Sequence, residues 1–233
     1  MQSQERETLA ACRLFSGLAP ERFDEILALL DGQRRSYFQN ALLLRPEGAR
    51  GKIGILLEGR AHVLREEYSG TRTLLTELEP PDLFGEAFAC AVSGPLPTDI
   101  CVRAAGGCRV LWLAFRRLLS PHAGLEQYQA VLISNMLAVL AEKDLLLSRR
   151  IGHLSKRSTR EKLLSYLFEQ YQLCGSRSFT IPFDRQQLAD YLCVDRSAMS
   201  SMLGRLRDDG LISFRRSHFT LTDRFLQGFE EEL

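Results

Sequence analysis

None of the six cysteines, at positions 12, 90, 101, 108, 174 and 193, pairs with another in a CxxC spacing, and the set fits no zinc knuckle. An iron–sulfur cluster needs four thiolates, usually several close together, and only Cys12 lies near the N-terminus. Buried free thiols are the expectation. Long apolar runs are missing too. The longest, AVLISNMLAVLA, is too short to span a bilayer and runs into Glu142-Lys143-Asp144. The opening MQSQERETLAACRLF is polar and carries acids, with no basic stretch leading into an apolar one, so a secretory signal is not expected and a soluble, cytoplasmic protein is. Low-complexity tracts are absent apart from the short acidic end Glu230-Glu231-Glu232. GxxxxGK[ST], GxSxG, HExxH and GxGxxG are all absent, and no local spacing suggests an acid pair or a Ser/His/Asp set. Nothing calls for an enzyme.

Neither sign of charge dominates: 30 Lys and Arg stand against 29 Asp and Glu, a formal charge of +1. The distribution is more telling. Residues 150–233 carry 13 basic and 11 acidic residues, with three of those acids in the last four positions. Arginines cluster at 149–160 and 205–216, which describes a local basic surface on an otherwise balanced protein. With 233 residues, 45% hydrophobic and 25% charged, the chain has an ordinary globular composition and is long enough for two modest domains or one large one.

Texture divides the chain. Residues 5–30 read as short helices, with Phe23, Ile26, Leu27 and Leu30 at helical spacing and Pro20 suited to a first turn. From about 34 to 115, short apolar runs alternate with turn signals roughly every ten residues, the pattern of an antiparallel sandwich or barrel. Gly59 and Gly106-Gly107 read as hairpin turns. DLFGEAFACA (82–91) breaks the rhythm as a short helix. Residues 125–154 then read as one long helix. Ile133, Leu137, Leu140, Asp144, Leu147, Ile151 and Leu154 follow a strict 4-3-4-3 spacing, and a second stripe, Leu132, Met136, Val139, Lys143 and Leu146, runs alongside. A helix apolar over so wide an arc has two surfaces to cover, its own β-domain and the same helix of a second subunit. A parallel dimer seam is favoured over a single buried core helix, with Ile133, Leu137, Leu140, Leu147 and Ile151 as its residues.

Past Leu154, Ser158 with Glu161 forms a capping box that starts a new helix, leaving His153–Lys156 as a candidate hinge. That helix ends at Cys174-Gly175, SFTIPF (178–183) is a short strand, and Asp184 with Gln187 repeats the capping box. Cys193-Val194 turns the chain and Asp195 caps the next helix. Leu188, Tyr191, Leu192, Val194, Met199, Met202, Leu203 and Leu206 supply inward faces. LISFRRSHFTL reads as a hairpin around Arg215-Arg216-Ser217. Helix, turn, helix, hairpin is a winged helix-turn-helix. On the second helix Arg196, Ser197, Ser200 and Ser201 oppose the inward stripe. Small hydroxyls and one cation suit a helix that enters a DNA groove, with Arg196 matched to the O6 and N7 of guanine. Arg205, Arg207, Arg215, Arg216, Lys156 and Arg157 suit phosphates.

Residues 183–213, FDRQQLADYLCVDRSAMSSMLGRLRDDGLIS, closely resemble the DNA-binding segment of the Crp/Fnr transcription regulators. LFSGLAPERFDEIL resembles that family's entry helices, and EGRAHVL and PDLFGEAFA resemble its cyclic-nucleotide-type β-roll. The resemblance implies an α+β protein: an N-terminal antiparallel β-roll (1–124) that senses an effector, a dimerisation helix (125–154) and a C-terminal winged helix-turn-helix (155–233). It further implies a homodimer on a palindromic duplex site with half-sites about one helical turn, roughly 34 Å, apart, and RNA polymerase as a candidate further partner.

The departures matter equally. Members that bind cyclic AMP open the short helix with a Gly-Glu pair, matched here by Gly85 and Glu86 ahead of Ala87 and Phe88. An Arg-Ser pair then holds their cyclic phosphate, whereas this chain reads Pro97-Thr98-Asp99. A phosphate site without a cation and with an added acid is electrostatically poor. The positions that meet adenine fall on Leu145 and Leu146. Cyclic AMP is therefore disfavoured, and the effector pocket is sketched by Gly85, Glu86, Ala87, Phe88, Thr98, Asp99, Leu145 and Leu146. The N-terminal cysteine cluster of oxygen-sensing members is missing. Haem stays open as a cofactor, with His62, His122, His153 and the cysteines as potential ligands. Familiar members carry Glu and Arg where Ser197 and Ser201 stand, so a different operator is expected. Two alternatives remain at this point: a cyclic-nucleotide-binding regulatory protein acting on a protein partner, and a haem-based gas sensor on the same scaffold.

Overall fold

A strand with one wet face alternates apolar and polar residues, but KIGILLE (52–58) is apolar almost throughout. In the computed structural model, which describes residues 2–45, 51–66, 72–91, 98–119 and 126–230, both faces of this strand are covered. Two compact units are present, Met1–Glu142 and Lys143–Leu233. The first holds α1 (Ser3–Ala11), α2 (Phe23–Leu29), β1 (Gln33–Tyr37), β2 (Leu42–Leu44), β3 (Lys52–Glu58), β4 (Ala61–Glu66), β5 (Arg72–Leu78), β6 (Leu83–Phe84), α3 (Glu86–Cys90), β7 (Ile100–Ala104) and β8 (Cys108–Ala114). It also holds the first part of α4 (Glu126–Leu154). The division between the two units falls inside this helix, between Glu142 and Lys143.

Two four-stranded antiparallel sheets, ordered β1-β8-β3-β6 and β2-β7-β4-β5, form the roll. From β3, Ile53, Ile55 and Leu57 join a core with Phe15, Phe23 and Ile26 and with α4's Tyr128, Leu132, Met136 and Val139. Leu56, on the opposite face, joins Ala61, Val102, Ala104, Cys108 and Val110 in the core between the sheets. There Phe84 packs edge-to-face on Trp112 at 5.4 Å, and Trp112 donates to the Tyr37 hydroxyl at 2.9 Å. Gly54 leaves room for Phe84, since a Cβ would sit 2.4 Å from the ring.

The hairpin expectation at Gly59 and Gly106-Gly107 fails. β3 pairs with β8 and β6 while β4 pairs with β5 and β7, so each glycine turn carries the chain from one sheet to the other. Gly59 has φ +79° and abuts the Gly107 carbonyl, where a Cβ would come within 2.2 Å. Positive φ and close approach explain the glycine in either kind of turn, so glycine alone does not distinguish them.

The second unit holds the rest of α4, then α5 (Thr159–Cys174), β9 (Ser178–Thr180), α6 (Arg185–Tyr191), α7 (Arg196–Asp208), β10 (Ile212–Arg215), β11 (His218–Leu221) and α8 (Asp223–Glu230). A three-stranded sheet, β10-β11-β9, backs the helices over a core that includes Leu163, Tyr166, Leu167, Leu188, Met199, Leu203, Leu206 and Phe219. The buried-thiol expectation holds for Cys12, Cys101 and Cys108, but Cys174 and Cys193 are exposed. Cys174 is the last residue of α5 and Cys193 lies in the turn after α6. Among the described residues, no helix is long and apolar enough to cross a membrane.

Candidate DNA interface

Local chemistry builds the helix pair. Asp184 accepts from the Gln187 N–H while Gln187 returns a bond to the Asp184 N–H, so α6 starts on a complete capping box. Its end is turned by Cys193, at φ 49°, with the Val194 N–H bonded to the Ala189 carbonyl. Asp195 then caps α7 by accepting from the Ala198 N–H. A bond from the Ser197 hydroxyl, joined by the one from Ala198, holds the Asp195 carboxyl below the usual aspartate range. Along α7, Met199, Leu203 and Leu206 are buried, whereas Arg196, Ser197, Ser200, Ser201 and Arg205 face solvent. Beyond it, β10 and β11 form a hairpin in register from Ile212↔Leu221 to Arg215↔His218, with Arg216 at φ 54° in the turn.

These elements are a winged helix-turn-helix, and residues 161–225 match the sequence pattern of the Crp-like helix-turn-helix domain. The chain carries a Crp-like helix-turn-helix domain. It is also similar, at 27% identity over 191 residues, to the probable transcriptional regulator flp of Lacticaseibacillus casei, a match spanning 81% of this chain and 84% of that one. CprK complexed with OCPA shares the fold with a TM-score of 0.63 at 15% identity, over 86% of this chain and 91% of that one. A CooA mutant from Carboxydothermus hydrogenoformans shares it with a TM-score of 0.57 at 20% identity, over 89% and 94%. The Crp/Fnr resemblance is borne out, and with it the α+β class of antiparallel roll, long helix and winged helix-turn-helix.

All nine residues read from the sequence as DNA contacts, Lys156, Arg157, Arg196, Ser197, Ser200, Ser201, Arg205, Arg215 and Arg216, are exposed and lie in the unit that carries the Crp-like domain. Ser197 differs from its neighbours because its hydroxyl already donates to Asp195. It therefore serves the cap. Arg207 pairs with Asp208 at 3.0 Å and lies over the Phe214 ring at 5.9 Å. Lys156 and Arg157 sit in the short link between α4 and α5, whose start is fixed by the capping box of Ser158 and Glu161.

His153, the first residue of the expected hinge, is buried at 4% exposure and held at both ring nitrogens. Nδ1 bonds Ser165 Oγ at 2.9 Å and Nε2 bonds Glu169 Oε2 at 2.7 Å. Arg149 also pairs with Glu169, and Arg150 donates to the Tyr191 carbonyl while lying 5.1 Å over its ring. The last turn of α4 is thereby fastened to α5 and α6, and the link that follows is itself bonded: the Ser155 hydroxyl donates to the Gly152 carbonyl, the Lys156 N–H to the His153 carbonyl and the Arg157 N–H to Glu161. Sequence spacing did not reveal the anchors of α4 because each joins residues from different helices. As haem ligands, His153 is committed to Ser165 and Glu169, His62 Nε2 lies 2.8 Å from Glu77, and His122 falls outside the described residues.

The sketched effector residues divide between the units. Gly85, at φ 83°, opens α3, Glu86 is buried, Ala87 is exposed and Phe88 packs against the core between the sheets. Thr98 and Asp99 precede β7. Leu145 and Leu146 belong to the second unit, 55% and 59% exposed, and Leu146 borders a shallow hollow of about 200 Å³ with Tyr166, Phe183 and Tyr191. The stretch Pro97-Thr98-Asp99 looked devoid of a cation, but Arg65 reaches Asp99 at 3.0 Å because β4 lies beside β7. On the same strand, Glu66 gathers Arg45, Arg72 and Arg103 at 2.9, 2.9 and 3.2 Å. Burial alone would raise the Glu66 carboxyl, but the three guanidinium groups outweigh it and hold the group below the usual glutamate range.

Proposed function

We propose that the protein is a homodimeric, cytoplasmic transcription regulator that binds a two-fold symmetric duplex site through α7 and the β10–β11 wing, under the control of an effector other than cyclic AMP. The observation that carries this reading is the division of α7. Met199, Leu203 and Leu206 are 0–1% exposed, while Arg196, Ser200 and Ser201 look outward with the arginines of the wing on the same unit. Arg196 then pairs with guanine, the serines approach bases or phosphates, and Arg205, Arg215, Arg216, Lys156 and Arg157 hold the backbone. Of the five residues expected in a dimer seam, Ile133 and Leu140 pack instead against the core of the first unit; pairing of two chains is supported by the other three, Leu137, Leu147 and Ile151, which are 62%, 59% and 65% exposed along one line of α4. Three large apolar groups within about 21 Å of helix form a seam that a second copy of the same helix covers.

Effector control follows a population shift: a ligand in or near the roll favours one arrangement of the paired DNA-binding units over another. The choice against cyclic AMP is supported by Asp99 and Arg65, which neutralise each other where a cyclic phosphate would need an uncommitted cation. RNA polymerase is the further partner of this reading. A gel-shift with the DNA upstream of the protein's own coding region tests it. The expected result is a retarded band at low salt that weakens with Arg196→Ala. Absence of binding to any palindromic fragment at low salt, with or without cell extract, contradicts it.

A further inference from the structure

We infer that Arg185, at the first position of α6, is the positioning residue of the wing and sets where Arg215 and Arg216 meet the duplex. It is the one arginine on α6, and its charge alone would assign it to a phosphate. Its geometry assigns it elsewhere. The guanidinium donates to the Arg216 carbonyl at 2.9 Å and lies 4.8 Å over the Phe214 ring and 5.2 Å over the Phe219 ring. A planar fork that spends one edge on a carbonyl and its face on two rings is committed to the hairpin. Burial also lowers its pKa, as expected for a cation drawn from water.

The wing tip needs such a brace. Arg216 holds φ 54°, a conformation a side-chain-bearing residue adopts at a cost, and the Arg185 bond falls on that residue's own carbonyl. Two further bonds tie the adjacent Ser217 to the segment leading into α6: the Ile181 N–H donates to the Ser217 carbonyl at 2.9 Å, and the Ser217 hydroxyl donates to the Phe183 carbonyl at 2.9 Å. Arg207 of α7 also lies over Phe214, 5.9 Å from the ring centroid. The ring thus joins the start of α6, the wing and the groove-facing helix, and the spacing between Arg196 and the wing arginines depends on it.

This inference rests on the DNA-binding reading, so its test has one arm without DNA. In the free full-length protein, trypsin cleavage after Arg215 and Arg216 is expected to accelerate in Arg185→Met and Arg185→Lys, with cleavage after every basic residue other than position 185 unchanged. Unaltered wing cleavage in both variants overturns the inference, whatever happens with DNA. In the second arm, affinity for a short duplex is followed against salt. Both variants are expected to lose about 1.8 from the slope of log K on log salt, two phosphate contacts at roughly 0.9 each, and Arg185→Met adds no loss in an Arg215→Ala/Arg216→Ala background. A direct phosphate contact gives the opposite pattern, with Arg185→Lys close to wild type and the cost of Arg185→Met persisting in that background, and this too overturns the inference. A wild-type protein that binds no duplex counts against the DNA reading, and the trypsin arm then decides the role of Arg185.

Discussion

Helices α7 and α4 carry the same kind of pattern, an apolar stripe opposite polar residues, and treat it in opposite ways. α7 buries Met199, Leu203 and Leu206 in its own unit and turns arginine and serine outward. α4 buries Tyr128, Leu132, Met136 and Val139 in the first unit and then leaves Leu137, Leu147 and Ile151 in solvent. A stripe that one chain covers makes a fold, and the stripe that it leaves open is the one the proposed function assigns to a second chain. Periodicity alone treats both alike, because spacing records which residues share a face and not what lies against it.

Mutations that exchange the two situations sharpen the contrast. The largest effect is expected from Leu203→Ala, which opens a cavity under α7 and destabilises the second unit by about 2–5 kcal/mol, read by denaturant unfolding. Next comes Leu147→Glu with Ile151→Glu. Each unit should keep its unfolding free energy within about 0.5 kcal/mol, since these side chains touch water already. Self-association, read by sedimentation equilibrium, should weaken by roughly 3 kcal/mol, two decades in Kd, from charges placed without partners in an apolar seam. Arg196→Ala should leave folding intact and remove roughly 1–3 kcal/mol of discrimination for the preferred duplex over a scrambled one. Ser158→Ala, which empties the cap at the start of α5, should cost about 1 kcal/mol in thermal unfolding.

The smallest effect is a pH dependence at Asp195. Its folded pKa lies below the ordinary value, so its contribution is complete above the ordinary aspartate range and is lost as the pH falls through the folded value. Asn caps a helix about as well and does not titrate. The melting temperature of wild type should therefore fall relative to that of Asp195→Asn as the solution is acidified, and a gap that stays constant with pH removes Asp195 as the titrating cap.

What was legible in the sequence was what is local. The caps at Ser158, Asp184 and Asp195 each need partners within three residues, and all three are present as read. The long helix, expected over 125–154, runs from Glu126 to Leu154. What escaped is contact across the chain. Alternation assigns a residue to a face but not a strand to its neighbour, so Gly59 passed for a hairpin and Arg65 was not placed beside Asp99, 34 positions away. Arg185 was overlooked for the same reason, because its partners Phe214, Arg216 and Phe219 come together only when the wing folds back. The anchors of His153 likewise lie on α5. In the candidate interface the exposed face of α7 could be read residue by residue, while the parts that hold the wing and the end of α4 in place could not.

The most direct test lets the full-length protein choose its ligand from a pool of random duplexes, with the bound complex then weighed by sedimentation. Recovered sequences should share two inverted half-sites separated by about 34 Å, each complex should hold two chains, and Arg196→Ala should blur the selected bases. Recovery of no common sequence, or of a single unrepeated half-site occupied by one chain, contradicts the account.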